Sequence, residues 1–172
     1  MIGSRREQAA FEAFATGATP RLMRTAYFLC GDRGHAEDLV QATLLTTARR
    51  WHRARRQPEA YARKVLVNLT KNRWRTLHRR APEVALGAEV VLPGEDPGDL
   101  VLERHRLMAA IRHLPPGQRV VLVLRFFDDL SVADTAAALN VSHGTVKSQT
   151  ARALDRMRST LEHERTPADV DR

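Results

Sequence analysis

The strongest constraint on the fold comes from residues 131–154, SVADTAAALNVSHGTVKSQTARAL, whose pattern predicts two short helices joined by a tight turn. Ser131 is followed three residues later by Asp134, a capping-box spacing in which two side chains satisfy free N–H groups at a helix start. Asn140 interrupts the helical pattern, and asparagine is one of the few residues besides glycine that adopts the left-handed backbone conformation. Ser142 is then expected to cap the second helix. The segment therefore predicts a helix-turn-helix.

The second helix of this segment is predicted to have an apolar and a polar side. At about 100° per residue, the apolar side is expected to be buried, and its residues are Val146, Thr150, Leu154 and Met157. The polar side suits hydrogen bonding to base edges and contact with phosphates in the major groove of DNA. Its residues are Thr145, Ser148, Arg152 and Arg156, flanked by Lys147 and Gln149. The alternative is an ordinary helical hairpin with a solvated polar face.

Charge is distributed unevenly along the chain. The net charge is +8 over 172 residues, yet residues 49–80 hold twelve Lys or Arg and one acidic residue. Residues 81–100 hold five acidic residues and no basic residue, together with three prolines and three glycines. This distribution predicts a module that binds a polyanion, followed by a flexible acidic linker.

A helix is predicted from Pro58 to about Arg80, because proline is favoured at the first helical position. Its buried face has the spacing i, i+3, i+4, i+7 and consists of Ala62, Val65, Leu66 and Leu69. The opposite face combines basic, amide and aromatic groups: Lys64, Asn68, Lys71, Trp74, Arg75 and His78. Such a face suits single-stranded or melted nucleic acid, since bases stack on rings and cations neutralise the backbone. The alternative is a solvated basic face with Trp74 packed against a neighbouring helix.

A second helical face, over residues 37–51, has the composition of a partner-binding surface. Its apolar side consists of Val40, Leu44, Ala48 and Trp51, and its other side of Asp38, Gln41, Leu45 and Arg49. An exposed leucine beside an acid and an amide is typical of a protein-binding surface. Periodicity equally allows Leu45 to pack on a neighbouring helix.

These patterns predict an all-α fold of two small, separately folded helical domains joined by the acidic linker. The predicted divisions are a domain over 5–80, the linker over 81–100, a domain over 101–162 and a disordered tail over 163–172. In the first domain Thr19-Pro20 predicts a helix start and residues 31–34 predict a break. In the second domain, helices are predicted over 101–113 and 118–127, ahead of the helix-turn-helix.

The sequence contains no pattern typical of a catalytic or metal site. The seven histidines lack metal-ligand spacing, and neither a glycine-rich phosphate loop nor a GxSxG motif is present. The adjacent Asp128 and Asp129 are best explained by surface solvation. We therefore expect no catalytic residue, metal or cofactor. The single Cys30 predicts a buried thiol in the cytoplasm, and the longest apolar run, over 120–124, is too short for a membrane span.

The chain resembles bacterial RNA polymerase sigma factors of the extracytoplasmic-function (ECF) type. Three segments carry the resemblance, and they occur in the same order as in that family. They are Gly34–Trp51, Tyr61–Arg75 and Leu114–Arg158. The resemblance implies an actinobacterial-like, two-domain member with sigma region 2 over 5–80 and sigma region 4 over 101–162. It also implies a function: binding core RNA polymerase and directing promoter-specific transcription initiation of a stress or envelope-response regulon.

The resemblance also implies which residues contact each partner. Contact with the clamp helices of the largest polymerase subunit is assigned to Asp38, Leu39, Gln41 and Leu45. Recognition and melting of the minus-ten promoter element are assigned to Arg53, Arg55, Arg56, Lys64, Asn68, Lys71, Asn72, Trp74 and Arg75. Recognition of the minus-thirty-five element is assigned to Ser142, Thr145, Lys147, Ser148, Gln149 and Arg152. An anti-sigma protein is a further expected partner, and the free chain is expected to be a monomer.

A different class of function is compatible with the helix-turn-helix alone. A conventional regulator would bind duplex DNA as a dimer and independently of polymerase. It would need a dimerisation or effector module, whereas the N-terminal half offers a basic helical face. A nucleic-acid-modifying enzyme, the third alternative, lacks candidate catalytic residues.

Overall fold

The computed structural model describes residues 4–80 and 99–165, and the regular elements in those two ranges are all helical. The N-terminal half contains α1 (Arg5–Cys30), α2 (Arg33–Arg49), the one-turn α3 (Trp51–Ala54) and α4 (Pro58–Arg80). The C-terminal half contains α5 (Asp99–His113), α6 (Pro116–Leu122), a π-helical turn (Val123–Phe127), α7 (Val132–Leu139) and α8 (His143–Arg165). The predicted all-α fold is confirmed.

Capping residues set the boundary between α1 and α2. Gly31 ends α1 with a φ of 72°, in the left-handed region that glycine adopts without steric cost. Directly after it, Asp32 Oδ1 accepts a hydrogen bond from the His35 backbone N–H at 2.7 Å and so starts α2. The predicted break over 31–34 is therefore confirmed at residues 31–32, whereas Arg33 and Gly34 already belong to α2.

The helix start predicted at Thr19-Pro20 is wrong, because Pro20 lies inside the 26-residue α1. Proline has no N–H to donate to the carbonyl four residues earlier, which costs helix stability. The apolar face of α1 nevertheless continues across the proline into the core of the first bundle, through Phe14, Ala18, Leu22 and Ala26. Burial of that face outweighs the missing hydrogen bond.

The first bundle consists of α1, α2 and α4 around one buried cluster, made of Leu22, Ala26, Ala36, Leu39, Val40, Ala62 and Leu66. The short α3 closes against α1 through aromatic contacts. The Trp51 ring lies 5.3 Å from Phe11 and 5.6 Å from Phe14, measured between centroids. This contact holds the basic segment that follows Trp51 next to the start of α4.

The helix-turn-helix is present as α7, a tight turn and α8. Ser131 Oγ accepts a hydrogen bond from the Asp134 N–H at 3.0 Å and donates one to Asp134 Oδ2 at 2.6 Å. Asn140 has a φ of 55°, and Ser142 Oγ accepts from the Thr145 N–H at 3.0 Å. The predicted N-caps at Ser131 and Ser142 and the left-handed turn at Asn140 are confirmed. The capping box differs in one respect, because the Asp134 carboxylate accepts from the Ser131 hydroxyl and not from a backbone N–H.

The buried side of α8 differs from the predicted one at Leu154, which is 41% exposed. Ala153 is fully buried with Val146 and Met157, since it lies about 20° from Val146 around the helix, whereas Leu154 lies about 80° away. Helix α8 also continues to Arg165, into the tail predicted over 163–172. The rest of that tail, and residues 81–98 of the predicted linker, lie outside the described residues, while α5 already begins at Asp99.

The sequence predicted two helical domains that fold separately. In the structure the two bundles instead share a buried cluster. Leu29 of α1 and Val67 of α4 belong to the same cluster as Ile111, Val120 and Leu124 of the C-terminal half. The Phe28 and Phe127 rings pack across the same boundary, with centroids 3.8 Å apart. The buried side of α4 is accordingly broader than predicted, because this helix contacts both bundles.

Candidate nucleic-acid and partner interfaces

The predicted partner-binding face of α2 is open to solvent at three of its four assigned residues. Asp38 and Gln41 are exposed, and Leu45 is 54% exposed. Leu45 therefore does not pack into a neighbouring helix of the described part, which was the alternative. Leu39 is only 8% exposed and belongs to the core of the first bundle, so its assignment to the surface is wrong. It lies about 100° around the helix from Asp38, on the side of Val40.

The predicted minus-ten residues form a basic surface along α3, the turn after it and one side of α4. Seven of the nine have exposed side chains: Arg53, Arg55, Arg56, Lys64, Asn68, Asn72 and Arg75. The Arg75 guanidinium donates a hydrogen bond to Asn72 Oδ1, which orders both groups on the surface. Burial lowers the pKa of the eighth residue, Lys71, and the charge of Arg75 lowers that pKa further. Like charges held this close repel one another, and a bound polyanion would relieve that repulsion.

Trp74, the ninth residue of this set, does not face solvent. It is half-buried against the shared cluster, and the Arg119 guanidinium carbon lies 5.3 Å from its ring centroid. In this conformation the indole is packed against a neighbouring helix, which was the alternative stated for this residue. The ring face under Arg119 is therefore covered, and a base can stack on that face only after a movement of the C-terminal half.

The candidate base-reading face lies at the start of α8. Ser142, Thr145, Lys147, Ser148 and Arg152 are exposed, and Gln149 is half-buried. The Ser142 and Thr145 hydroxyls are 2.9 Å apart, and Ser148 Oγ donates to the Thr145 carbonyl at 3.1 Å. Side chains buried on the opposite side anchor the helix to the core, so the polar face is presented on a rigid support. Its hydroxyl, amide and basic groups supply the donors and acceptors needed in a major groove.

The described residues contain no group of three or more His, Cys, Asp or Glu arranged to hold a metal ion. Over the same ranges no helix is both long and apolar enough to cross a lipid bilayer.

Burial raises the pKa of the Cys30 thiol, although the nearby Arg73 and Arg119 oppose that effect. A raised pKa keeps the thiol protonated and weakly nucleophilic.

Asp128 was missed by the sequence analysis, which had explained it by surface solvation. Its side chain is only 4% exposed, whereas that of the adjacent Asp129 is exposed. The carboxylate contacts the first bundle rather than its own. Two consecutive acidic residues carry no periodic signal that separates a buried one from a solvated one, so the sequence alone could not have identified this contact.

Comparison with known families defines the class of protein to which this arrangement belongs. Residues 14–80 match the model of Sigma-70 region 2, and residues 104–157 match that of Sigma-70, region 4. Both matches lie inside the domains predicted from the sequence. A basic helical module followed by a helix-turn-helix module is thus the region 2 and region 4 pair of a sigma factor.

Individual relatives narrow the class to one family. The RNA polymerase sigma-E factor of Streptomyces coelicolor is 37% identical over 153 residues, which cover 88% of this chain and 85% of the relative. The ECF RNA polymerase sigma factor EcfG of Rhodopseudomonas palustris is 33% identical over 149 residues, covering 84% and 81%. The chain belongs to the ECF family of RNA polymerase sigma factors, and it directs transcription initiation.

Solved structures agree with this fold. The sigma factor RpoE from Bartonella quintana, in a co-crystal with the anti-sigma factor NepR, matches with a TM-score of 0.73 and 26% identity, covering 90% of this chain and 98% of that one. CnrH, solved with the cytosolic domain of CnrY, matches with a TM-score of 0.67 and 20% identity, covering 91% and 90%. This second match supports the fold alone.

Proposed function

We propose that this chain binds core RNA polymerase through α2, recognises the minus-ten element with region 2 and recognises the minus-thirty-five element with region 4. The polymerase performs the chemistry, and the chain supplies promoter choice and strand opening. The observation that carries this proposal is the presence of two exposed faces rich in basic and polar side chains, on the region 2 and region 4 modules of one sigma factor. A conventional repressor needs only the second of these faces.

The polymerase contact rests on Asp38, Gln41 and Leu45. They share one face of α2 at spacings of three and four residues, and all three are exposed. An exposed leucine next to an acid and an amide can bury apolar surface while the polar groups determine orientation. The clamp helices of the largest polymerase subunit are the proposed partner.

The minus-ten contact rests on the basic surface of α3 and α4. Its arginines and lysines are suited to the phosphates of melted DNA, and Asn68 and Asn72 can each donate to and accept from an exposed base edge. Trp74 adds a stacking surface only when the C-terminal half has moved away. The minus-thirty-five contact rests on the α8 face, with hydroxyls and Gln149 toward bases and Lys147 and Arg152 toward phosphates.

Further partners and context are proposed from the relatives. RpoE of Bartonella quintana was solved with an anti-sigma factor, and an anti-sigma protein is proposed for this chain as well. The chain is proposed to act in the cytoplasm as a monomer when free, on a regulon that responds to stress or to the cell envelope.

The decisive experiment combines the purified chain with core RNA polymerase on a genomic fragment library. Transcripts with defined starts that depend on the chain are the expected result. Gel filtration adds a second test, since the proposal requires a one-to-one complex with core polymerase that Asp38→Ala/Gln41→Ala abolishes. Arg33→Ala, on a different face of α2, is the matched control. A dimer that binds duplex DNA and ignores polymerase would instead identify a conventional regulator.

A further inference from the structure

Asp128 connects the two halves of the molecule through both of its carboxylate oxygens. Thr25 Oγ1, on α1, donates a hydrogen bond to Asp128 Oδ1 at 2.5 Å. The Arg63 Nε, on α4, lies 3.3 Å from Asp128 Oδ2, and the side chain of Arg63 is only 13% exposed. Both partners belong to region 2, whereas Asp128 follows the π-helical turn of region 4. The carboxylate is thus a region 4 group whose charge is compensated by region 2.

The backbone next to Asp128 is held by the same surface of α1. Arg21 Nη2 donates to the Asp128 carbonyl at 3.1 Å, and Arg24 Nη2 donates to the Phe127 carbonyl at 2.8 Å. Phe127 is the last residue of the π-helical turn and Asp128 is its C-cap, and carbonyls at a helix end lack an N–H partner within the helix. Side chains from α1 therefore cap a helix end of the other domain.

A buried carboxylate must be paired, because removal from water otherwise disfavours its charged form strongly. Here the pair is complete only while the two domains are in contact. Separation of the domains would return Asp128 and Arg63 to water and would also expose the apolar cluster that the two halves share. A buried ion pair at such a boundary selects one docking geometry rather than adding generic attraction.

The closed arrangement is too compact to reach both promoter elements. The minus-ten and minus-thirty-five elements lie about 25 base pairs apart, which corresponds to about 85 Å along B-DNA. A compact chain of 172 residues has a radius of gyration of about 16 Å. The closed arrangement also covers one face of the Trp74 ring. Engagement of both elements therefore requires the domains to separate.

The face of α2 proposed to bind polymerase remains exposed in the closed arrangement. Polymerase can therefore make its first contact through Asp38, Gln41 and Leu45 before the domains separate. The order of events that follows is docking on α2, release of region 4 from region 2 and then capture of DNA by both domains.

We propose that Asp128, paired with Thr25 and Arg63, is a latch that holds the free sigma factor in a closed state unable to engage a promoter. The contacts of the latch stand on the structure alone, while its inhibitory role rests on the proposed function. Polymerase binding opens the latch, and the separated domains then span the promoter.

The latch is tested on the free protein by single-molecule energy transfer. Dyes are attached to Ala13→Cys and Ala151→Cys, both at exposed positions, in a Cys30→Ser background. The ratio of closed to open molecules is expected to fall about tenfold or more in Asp128→Ala, the scale for a lost hydrogen bond to a charged group. Asp129→Asn is the matched control, since Asp129 is exposed and its φ of 54° suits asparagine. An equal ratio in the two variants, or a wild type that is mainly open, would overturn the latch.

Variants on the other domain keep the test decisive if Asp128→Ala fails to fold. Thr25→Val and Arg63→Gln remove the partners without altering region 4, and circular dichroism checks that each variant is folded. Arg63→Gln combined with Asp128→Asn should open the protein less than the two single effects multiplied together, because both remove the same ion pair. Independent effects would contradict a direct pairing.

Transcription assays then test the inhibitory role separately. Asp128→Ala is expected to form promoter complexes with core polymerase several-fold faster than wild type at limiting sigma concentration. An open variant with an unchanged rate overturns the inhibitory role while the contact stands. Failure of wild type to start transcription overturns the proposed function, and the energy-transfer result still decides whether the latch exists.

Discussion

The Arg119 guanidinium carbon lies 5.3 Å from the centroid of the Trp74 ring, so that a region 4 cation covers an aromatic group of the predicted minus-ten surface. The same guanidinium donates through Nη1 to the Leu29 carbonyl at 3.1 Å and through Nη2 to the carbonyls of Arg112 and Leu114. Burial lowers the pKa of Arg119, and the charge of Arg112 lowers it further. Arginine remains a cation even so. Arg119 is thus a second polar contact between the domains, next to an apolar cluster that both domains share.

Trp74 therefore provides an intrinsic fluorescence probe of domain separation. The chain has two tryptophans, so Trp51→Phe leaves Trp74 as the only tryptophan, which can be excited selectively over the two tyrosines, and phenylalanine preserves the aromatic contact with Phe11. In this background, Asp128→Ala is expected to shift the Trp74 emission maximum to longer wavelength, because the ring moves from a packed site into water. Emission spectra of the purified variants measure this shift. An unchanged maximum in Asp128→Ala, with a red shift on unfolding in urea, would contradict domain separation.

The two leucines of α2 are expected to respond to substitution in opposite ways. Leu39→Ala removes a core side chain and should lower the free energy of unfolding by about 2–4 kcal/mol. Leu45→Ala should change that free energy by less than about 0.5 kcal/mol, because Leu45 is largely exposed. Urea unfolding followed by circular dichroism measures both values. The same Leu45→Ala protein should lose affinity for core polymerase, and retention of full affinity would remove Leu45 from the proposed contact.

Predictions from the sequence succeeded where the determining interactions are local. Ser131, Asn140 and Ser142 act on backbone groups within three or four residues, so their roles follow from the sequence pattern alone. The exposed face of α2 followed from periodicity for the same reason. Leu39 was misassigned because the family resemblance placed it within a functional segment, although its position around the helix favours burial.

Predictions failed where contacts join distant parts of the chain. Pro20 predicts a helix start locally, but burial of a continuous apolar face carries α1 through it. Asp128 and Thr25 are separated by more than one hundred residues, and Trp74 meets Arg119 from another domain. Long-range pairs of this kind leave no periodic trace in a single sequence. The docking of the two domains was therefore not predictable from it.

The turn of the helix-turn-helix should tolerate glycine better than alanine at position 140. Asn140 has a φ of 55°, and a residue with a Cβ but no compensating polar group is strained in that conformation. Asn140→Ala is expected to lower the free energy of unfolding by about 1 kcal/mol. Asn140→Gly is expected to stay within about 0.5 kcal/mol of wild type, since relief of strain is offset by greater freedom of the unfolded chain. Thermal unfolding compares the two proteins, and an equal loss in both would mean that backbone conformation does not limit this turn.

The basic surface of region 2 should determine how steeply promoter binding depends on salt. Each phosphate contact to single-stranded DNA contributes about −0.7 to the slope of log K against log salt concentration. The double variant Arg53→Ala/Arg56→Ala loses two such contacts, so its slope is expected to be shallower by about 1.4. The slope is measured for the complex of the sigma factor with core polymerase, bound to DNA whose minus-ten segment is single-stranded. Arg33→Ala is the matched control, because it removes an exposed arginine from α2, where Arg33 pairs with Glu37 at 3.0 Å. Binding measured at four salt concentrations gives the slopes, and a slope equal to that of the control would place both arginines away from the DNA backbone.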